Sequence, residues 1–136
     1  MSVEVAKDYF ELADSPDATV DDLLELFSPE AVVVEPHVGR YEGHDGIREF
    51  FAALGEIFAD GVHEIEQYHQ SGQTVVCEGT ISGETVAGRD YAGVGVAEIM
   101  EFDESDRIRA FRVYVDYSAI LSELPESVPD YRELWE

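Results

Sequence analysis

The prevailing hydrophobic period of the sequence changes near its middle, and this change constrains the fold more than any other feature. In the first 60 residues or so, apolar side chains recur at helical spacing in three segments, whereas from Val62 onward the pattern is typical of strands. We predict four long strands, at 62–70, 73–82, 91–102 and 107–116, with turn residues between them. Three helices followed by long antiparallel strands predict an α+β fold, in which helices cover the concave face of a strongly curved sheet.

The first two helices are predicted from their apolar spacing and their end signals. Helix one covers Val3 to Ala13 and is ended by the polar residues at 14–17. Helix two has Thr19 as its N-cap and ends at Ser28-Pro29. Its inward-facing residues are Leu23, Leu24, Leu26 and Phe27. A strand at 32–35 and a short strand at 40–42 then precede the third helix.

The third helix carries a wide apolar stripe. Asp60-Gly61 supplies its predicted stop, and the stripe consists of Ile47, Phe50, Phe51, Leu54, Ile57 and Phe58. At the other end of the sequence, Leu121, Leu124 and the segment 129–135 predict a helical extension over 117–136. No linker divides the chain, so residues 1–136 are predicted to form a single domain.

The charge balance indicates which partners the chain avoids. Asp and Glu number 31 against 8 Lys and Arg, which gives a formal net charge of −23, yet 45% of the residues are hydrophobic, enough to form a core. So acidic a surface repels nucleic acid and anionic membranes. The composition resembles that of proteins from salt-loving archaea, and molar salt would screen the self-repulsion. The single cysteine, Cys77, and the absence of an apolar run of 18 residues are consistent with a cytoplasmic protein.

Two glutamates occupy strand positions that should be apolar. Alternate residues of a strand share a face, so Glu35 lies on the side of Val33, and Glu98 lies on the side of Val96 and Met100. Burial of an unpaired ionised carboxylate costs several kcal/mol, so each group must find hydrogen-bond donors, border water or keep its proton. All three outcomes suit a general acid or base, and the pair therefore predicts an active pocket.

Several segments resemble the SnoaL-like and ketosteroid-isomerase-like branch of the nuclear-transport-factor-like superfamily. The resemblance runs from about Val3 to Ile120 and is carried by 26–36, 43–47, Phe50-Phe51, 102–108 and 112–116. It implies a cone-shaped cavity between the sheet and the helices, and a homodimer. These segments specify the fold more strongly than they specify a reaction.

The resemblance also implies roles for three residues. Glu35 falls where ketosteroid isomerases carry the aspartate general base, Glu98 where they carry a protonated aspartate of the oxyanion hole, and Tyr9 near the oxyanion-hole tyrosine. The implied chemistry is proton abstraction alpha to a carbonyl of an apolar substrate by an isomerase or cyclase, without metal or other cofactor. Glutamate in place of aspartate moves each carboxyl by about 1.5 Å. This displacement disfavours the steroid reaction and leaves cyclisation or isomerisation of a polyketide-like or isoprenoid-like substrate open.

Strand parity predicts which other residues face the ligand. On the last strand, Phe111 and Val113 look inward, while Arg112 and Asp116 lie on the outer face and form an ion pair there. A homodimer would pack through this outer face, and the parity disfavours an epoxide-hydrolase-like Asp-Arg-Asp set inside the cavity. The predicted ligand-binding residues are His37, Phe51, Met100, Phe111 and Val113.

Alternatives of other classes share the same fold-level pattern. A non-catalytic ligand-binding or stress-related module would keep the cavity without turnover, and an acidic subunit would only assemble with a basic partner. A metal site is not predicted, because His63 and His69 lie six residues apart on one strand, roughly 20 Å at 3.3 Å per residue. The environment of Glu35 and Glu98 discriminates between an enzyme and a scaffold.

Overall fold

The computed structural model describes residues 2–120 and 131–135. Two short 3₁₀ helices, at Tyr117–Ala119 and Tyr131–Trp135, follow a main body of nine elements. The body consists of α1 (Ser2–Asp14), α2 (Val20–Leu24), β1 (Phe27–Glu35), β2 (Gly39–Glu42), α3 (Gly43–Gly55), β3 (Phe58–Ser71), β4 (Thr74–Thr85), β5 (Asp90–Phe102) and β6 (Ile108–Val115). The predictions made from Leu121 and Leu124 lie outside the described residues.

The six strands form one sheet in the order β2-β1-β6-β5-β4-β3. β1 and β6 pair in parallel, with Val33 opposite Phe111, and every other pair of neighbouring strands is antiparallel. All three α-helices pack their apolar sides on one face of this sheet, against the buried residues Val33, Met100 and Phe111. The predicted α+β fold is therefore confirmed. No helix in the described part of the chain has the length and apolar character to cross a membrane.

The second helix is shorter than the sequence predicts. Thr19 does cap it: its hydroxyl accepts from the Asp22 N–H at 3.3 Å, and its own N–H donates to the Asp22 carboxylate at 2.8 Å. The helix ends at Leu24, however, and Phe27 is a buried residue at the start of β1. Assigning Phe27 to the helix was wrong, and Ser28-Pro29 lies inside the strand. The proline is tolerated because the pairing of β1 with β6 is irregular between Phe27 and Val32.

The predicted stop of the third helix at Asp60-Gly61 is also wrong. The helix ends at Gly55, and the N–H of Glu56 closes its last turn by bonding to the carbonyl of Ala53. Phe58 is the first residue of β3, and both Asp60 and Gly61 belong to that strand. Phe58 misled the prediction because its side chain continues the apolar spacing of the helix although it lies on the next element.

Bulges in β3 contribute to the curvature of the sheet. The register of β3 against β4 shifts between Phe58 and Asp60 and again between Ile65 and Gln67. Opposite the second shift, the strands approach so closely that a Cβ on Gly79 would lie 2.0 Å from the carbonyl oxygen of Glu64. Only glycine fits at that position.

The last strand follows the predicted parity but not the predicted ion pair. Phe111 and Val113 are buried, whereas Arg112 lies on the outer face. Its guanidinium pairs with Glu101 on β5 rather than with Asp116. Asp116 instead accepts from the Ser118 N–H at 3.1 Å and caps the first 3₁₀ helix. Arg112 pairs with Glu101 because its own strand lies directly beside β5, where Arg112 is opposite Ile99.

Candidate active site

A cavity of about 240 Å³ lies between the helices and the sheet. Its wall is mainly apolar, with a small set of polar side chains that includes two tyrosines, a histidine and a glutamate. The lining residues are Tyr9, Ala13, Leu23, Phe50, Phe51, Leu54, Gly55, Phe58, Asp60, Gly61, His63, Ile81, Val96, Glu98, Val113, Val115 and Tyr117.

Glu98 is a buried carboxyl on this wall. It lies in the middle of β5, opposite Cys77 on β4 and Val113 on β6, and is only 3% exposed. Its Oε2 atom is buried and has no hydrogen-bond partner among the described residues. Burial raises the pKa of Glu98 to about 7, although the charge of His63 opposes this rise. Near neutral pH the group therefore exists in both its neutral and its ionised form.

Tyr9 reaches the cavity from α1. Its ring packs edge-on against Phe10, Phe27 and Phe111, with centroids 5.2, 6.2 and 5.0 Å away. Burial raises the pKa of the Tyr9 hydroxyl well above its usual value, and the charge of Glu98 raises it further. The hydroxyl consequently keeps its proton and can serve as a hydrogen-bond donor.

Glu35 is buried, as its strand parity predicts, but it does not line the cavity. It is 0% exposed, and its two carboxylate oxygens accept from the N–H of His37 at 3.0 Å and from the hydroxyl of Tyr117 at 3.2 Å. Burial raises the pKa of Glu35, while these hydrogen bonds and His37 lower it in part. Tyr117 lines the cavity and its hydroxyl donates to Glu35, so this tyrosine links the cavity wall to the enclosed carboxyl.

The remaining predicted residues divide into two groups. Phe51 and Val113 line the cavity, whereas Met100 and Phe111 belong to the packed core behind it. His37 lies with Glu35: its ring packs edge-on against Tyr117 at 4.7 Å, and its Nδ1 is 3.5 Å from the Glu35 carboxylate. The structure thus brings Tyr9, Phe51, Glu98 and Val113 together on the wall and leaves the other four predicted residues off it.

One polar pair at the cavity was missed at the sequence level. Asp14, at the end of α1, accepts from both the backbone N–H of His63 at 2.8 Å and its Nδ1 at 2.6 Å. The His63 ring also packs against Phe10, 5.0 Å between centroids. Burial lowers the pKa of His63, but the hydrogen bond to Asp14 and the charge of Glu98 outweigh it, so the net shift is upward.

Only part of this pair carried a signal in the sequence. His63 shares strand parity with Ile65, which places both on the inner face of β3. Nothing local links His63 to Asp14, because 49 residues separate them. Tyr117 was missed because it follows the last strand, where alternation no longer applies. Within residues 2–120 and 131–135, no three His, Cys, Asp or Glu side chains are grouped closely enough to hold a metal ion.

Several solved structures share this fold. An NTF2-like protein from Burkholderia pseudomallei superposes with a TM-score of 0.80 at 18% identity, over 90% of this chain and 96% of that one. TerC, crystallised with polyporic acid, gives a TM-score of 0.76 at 20% identity over 93% and 98%. A protein of ketosteroid-isomerase-like fold from Catenulispora acidiphila, in complex with trimethylamine, gives 0.76 at 16% identity over 90% and 93%.

Sequence comparison supplies the family itself. No curated protein matches the chain significantly. The family model of the SnoaL-like domain, in contrast, matches residues 6–111, a span that includes Tyr9, His63 and Glu98. This span covers most of the chain, and the chain therefore belongs to the SnoaL-like domain family.

Proposed function

We propose that the cavity binds a small apolar carbonyl compound and that the protein acts on it as an isomerase or cyclase, by proton abstraction alpha to the carbonyl. One observation carries this proposal: Glu98 is buried on the wall of an apolar cavity with an unpartnered oxygen. A buried polar atom without a partner is costly, and a ligand oxygen seated against it would remove that cost.

The chemistry follows from the protonation of the two donors. With a pKa of about 7, Glu98 is neutral in a large fraction of molecules at neutral pH and can donate its O–H to the carbonyl oxygen of a ligand. Tyr9, whose pKa is raised, donates a second hydrogen bond from α1. Two donors in an apolar cavity stabilise the negative charge that develops on the oxygen as the alpha proton leaves. The apolar wall favours a ligand whose remaining surface is hydrocarbon.

For Glu35 the proposed role differs from that of a base in direct contact with the ligand. A ligand in the cavity meets Tyr117 before it meets Glu35. We assign Glu35 to positioning: its carboxylate fixes the hydroxyl of Tyr117, and the backbone N–H of His37 fixes the carboxylate. Glu35 therefore takes part in the proposed reaction only indirectly, by holding the Tyr117 hydroxyl in place.

Two of the similar structures support ligand binding of this kind. TerC was crystallised with polyporic acid, and the Catenulispora acidiphila protein contains trimethylamine. Both proteins share the fold alone with this chain. They support the proposal that the cavity of this chain accepts a small organic molecule.

The surface supports two further proposals about the state of the protein. A net charge of −23 suits a salt-rich cytoplasm, where a Debye length of about 3 Å at 1 M salt screens the repulsion between carboxylates. The outer face of the sheet is the proposed homodimer interface. It carries the Arg112–Glu101 pair and the exposed Trp135, whose ring lies 5.9 Å from the Arg112 guanidinium. Aromatic and arginine side chains are enriched in protein interfaces.

The proposed reaction can be tested without knowledge of the natural substrate. 2-Tetralone is an apolar bicyclic ketone with acidic alpha protons, and their exchange in D₂O is followed by ¹H NMR. We expect the protein to accelerate this exchange and Glu98→Gln to reduce the acceleration by about a hundredfold. Glu104→Gln, an exposed carboxyl in the turn before β6, is the charge-matched control and should leave the rate unchanged.

The assay also separates the enzyme from the binding module. Binding of 2-tetralone without accelerated exchange would favour the non-catalytic alternative. Glu35→Gln should lower the rate much less than Glu98→Gln, because the amide oxygen still accepts from Tyr117. Equal loss in both variants would return Glu35 to the role of a direct base.

A further inference from the structure

The Asp14–His63 pair is a polar contact of the cavity for which the chemistry so far gives no role. His63 lines the cavity from β3, and Asp14 stands behind it at the end of α1. Both side chains are largely shielded from solvent, since 14% of the His63 side chain and 19% of the Asp14 side chain is exposed. Glu98 faces the same space from β5, and its charge acts on His63. The cavity therefore contains a second group able to accept a proton.

The hydrogen bonds of Asp14 determine which ring nitrogen of His63 is available. An ionised carboxylate only accepts hydrogen bonds, so both the backbone N–H and the Nδ1 of His63 donate to Asp14. In the neutral imidazole Nδ1 then carries the proton, and Nε2 has a free lone pair. A carboxylate that fixes the tautomer of a histidine in this way is the arrangement by which enzymes orient a general base.

We infer that His63 is the base that removes the alpha proton of the ligand, with Asp14 as the residue that positions it. This inference rests on the proposed function, and it assigns to the cavity-lining His63 the task that the family resemblance implied for Glu35. The geometry favours His63 because it lines the cavity with one ring nitrogen uncommitted, whereas both carboxylate oxygens of the enclosed Glu35 already accept hydrogen bonds.

All proton transfers of the proposed reaction take place between the ligand and the side chains of His63 and Glu98. Nε2 of His63 takes the proton as the alpha C–H bond breaks, and the electron pair of that bond forms the C=C bond of the enol. The carbonyl oxygen takes the proton of Glu98. In an isomerisation, Nε2 then returns its proton to a different carbon, and the enol O–H proton goes back to Glu98. No oxidant, reductant or co-reactant is consumed.

The reactive state requires one proton on the pair formed by Glu98 and His63. Asp14 from α1 and Glu98 from β5 act on His63 directly, and the other titratable groups on the same cavity wall are Tyr9 from α1, Asp60 from its own strand and Tyr117 after β6. Raising the pH removes the shared proton, and lowering it adds a second proton that occupies Nε2. The exchange rate should therefore pass through a maximum as pH varies. The apparent pKa values of the rising and falling parts of this profile belong to the Glu98–His63 pair rather than to either residue.

The deciding experiment compares three histidine-pair variants in the 2-tetralone exchange assay. His63→Gln removes the base, and we expect about a hundredfold loss of rate. Asp14→Asn keeps an acceptor for the backbone N–H of His63, but its amide group donates to Nδ1 and moves the imidazole proton to Nε2. A similar loss is expected there with the fold intact. His69→Gln, at an exposed histidine paired with Glu78, is the matched control and should keep the full rate.

A second readout keeps the test decisive if a variant unfolds. Long-range ¹H–¹⁵N NMR of the histidine rings should show the Nδ1–H tautomer of His63 in the parent protein, the Nε2–H tautomer in Asp14→Asn, and a shift of the His63 signals on addition of 2-tetralone. An unchanged exchange rate in a folded His63→Gln or Asp14→Asn protein overturns the inference. So do His63 signals that do not shift when 2-tetralone is added. Loss of rate in Glu98→Gln alone retains the proposed function and removes only the role of His63. Full rate in Glu98→Gln with loss in His63→Gln retains the proton abstraction and the role of His63 and removes only the role of Glu98.

Discussion

Glu98→Gln should stabilise the protein, and the gain should appear only as the pH rises. The pKa of Glu98 is about 7 in the folded state against an ordinary value of 4.5, so the folded state binds its proton more tightly than the unfolded state does. A carboxyl with a raised folded pKa costs nothing below its unfolded pKa. The loss of folding free energy grows as the pH rises from the unfolded-state pKa to the folded-state pKa of Glu98. Above the folded-state pKa the loss is complete and amounts to about 3 kcal/mol, at 1.4 kcal/mol per pKa unit.

The measurement is urea denaturation of the parent and Glu98→Gln at pH 5 and pH 8, at constant molar potassium chloride. From pH 5 to pH 8 the stability difference should move in favour of the variant by about 2 to 3 kcal/mol. Comparing this difference at the two pH values cancels the titration of the other carboxylates, and the exposed Glu104→Gln provides the same change in charge without burial. An equal stability difference at both pH values would refute the reasoning, because it would mean that Glu98 ionises freely inside the fold.

Two further predictions concern the fold and its charge. Gly79→Ala should destabilise the protein by on the order of 3 kcal/mol in the same denaturation assay, because its Cβ would lie 2.0 Å from the Glu64 carbonyl oxygen. Gly95→Ala, where nothing lies within 4 Å of the added Cβ, is its control, and equal effects of the two would argue against the close approach. The melting temperature should rise by on the order of 10 °C from millimolar to molar potassium chloride, and an unchanged value would contradict the role given to the net charge of −23.

The sequence predicted the elements with a regular period well and their ends poorly. Alternation along β5 and β6 correctly placed Glu98 and Val113 on the inner face, because a half-buried strand must separate apolar from polar residues. The ends of α2 and α3 failed because Phe27 and Phe58 extend a helical spacing while belonging to the next strand. Periodicity records which residues are buried, not which element buries them.

The candidate site was predictable where burial alone defines it. Strand parity identified Glu35 and Glu98 as buried carboxyls, and both are. Parity could not tell a carboxyl that lines a cavity from one enclosed in the core, since both point inward. That distinction depends on Tyr117, which lies 82 residues from Glu35 and whose hydrogen bond closes the approach to it. The Asp14–His63 contact is equally non-local and has no periodic signature.

The enclosure of Glu35 bears on the choice of base in the proposed reaction. Tyr117, which covers Glu35, is itself held in place, with Phe58 stacked 6.3 Å away and His37 edge-on at 4.7 Å. Opening a path to Glu35 would expose this aromatic cluster and leave a buried carboxylate oxygen without its donor, a cost of about 1–3 kcal/mol for the oxygen alone. His63 needs no such movement, because it already lines the cavity and Asp14 already fixes its ring. In the proposed reaction, with the carbonyl oxygen held by Glu98, His63 is therefore the base that requires the least reorganisation, an arrangement that favours catalysis.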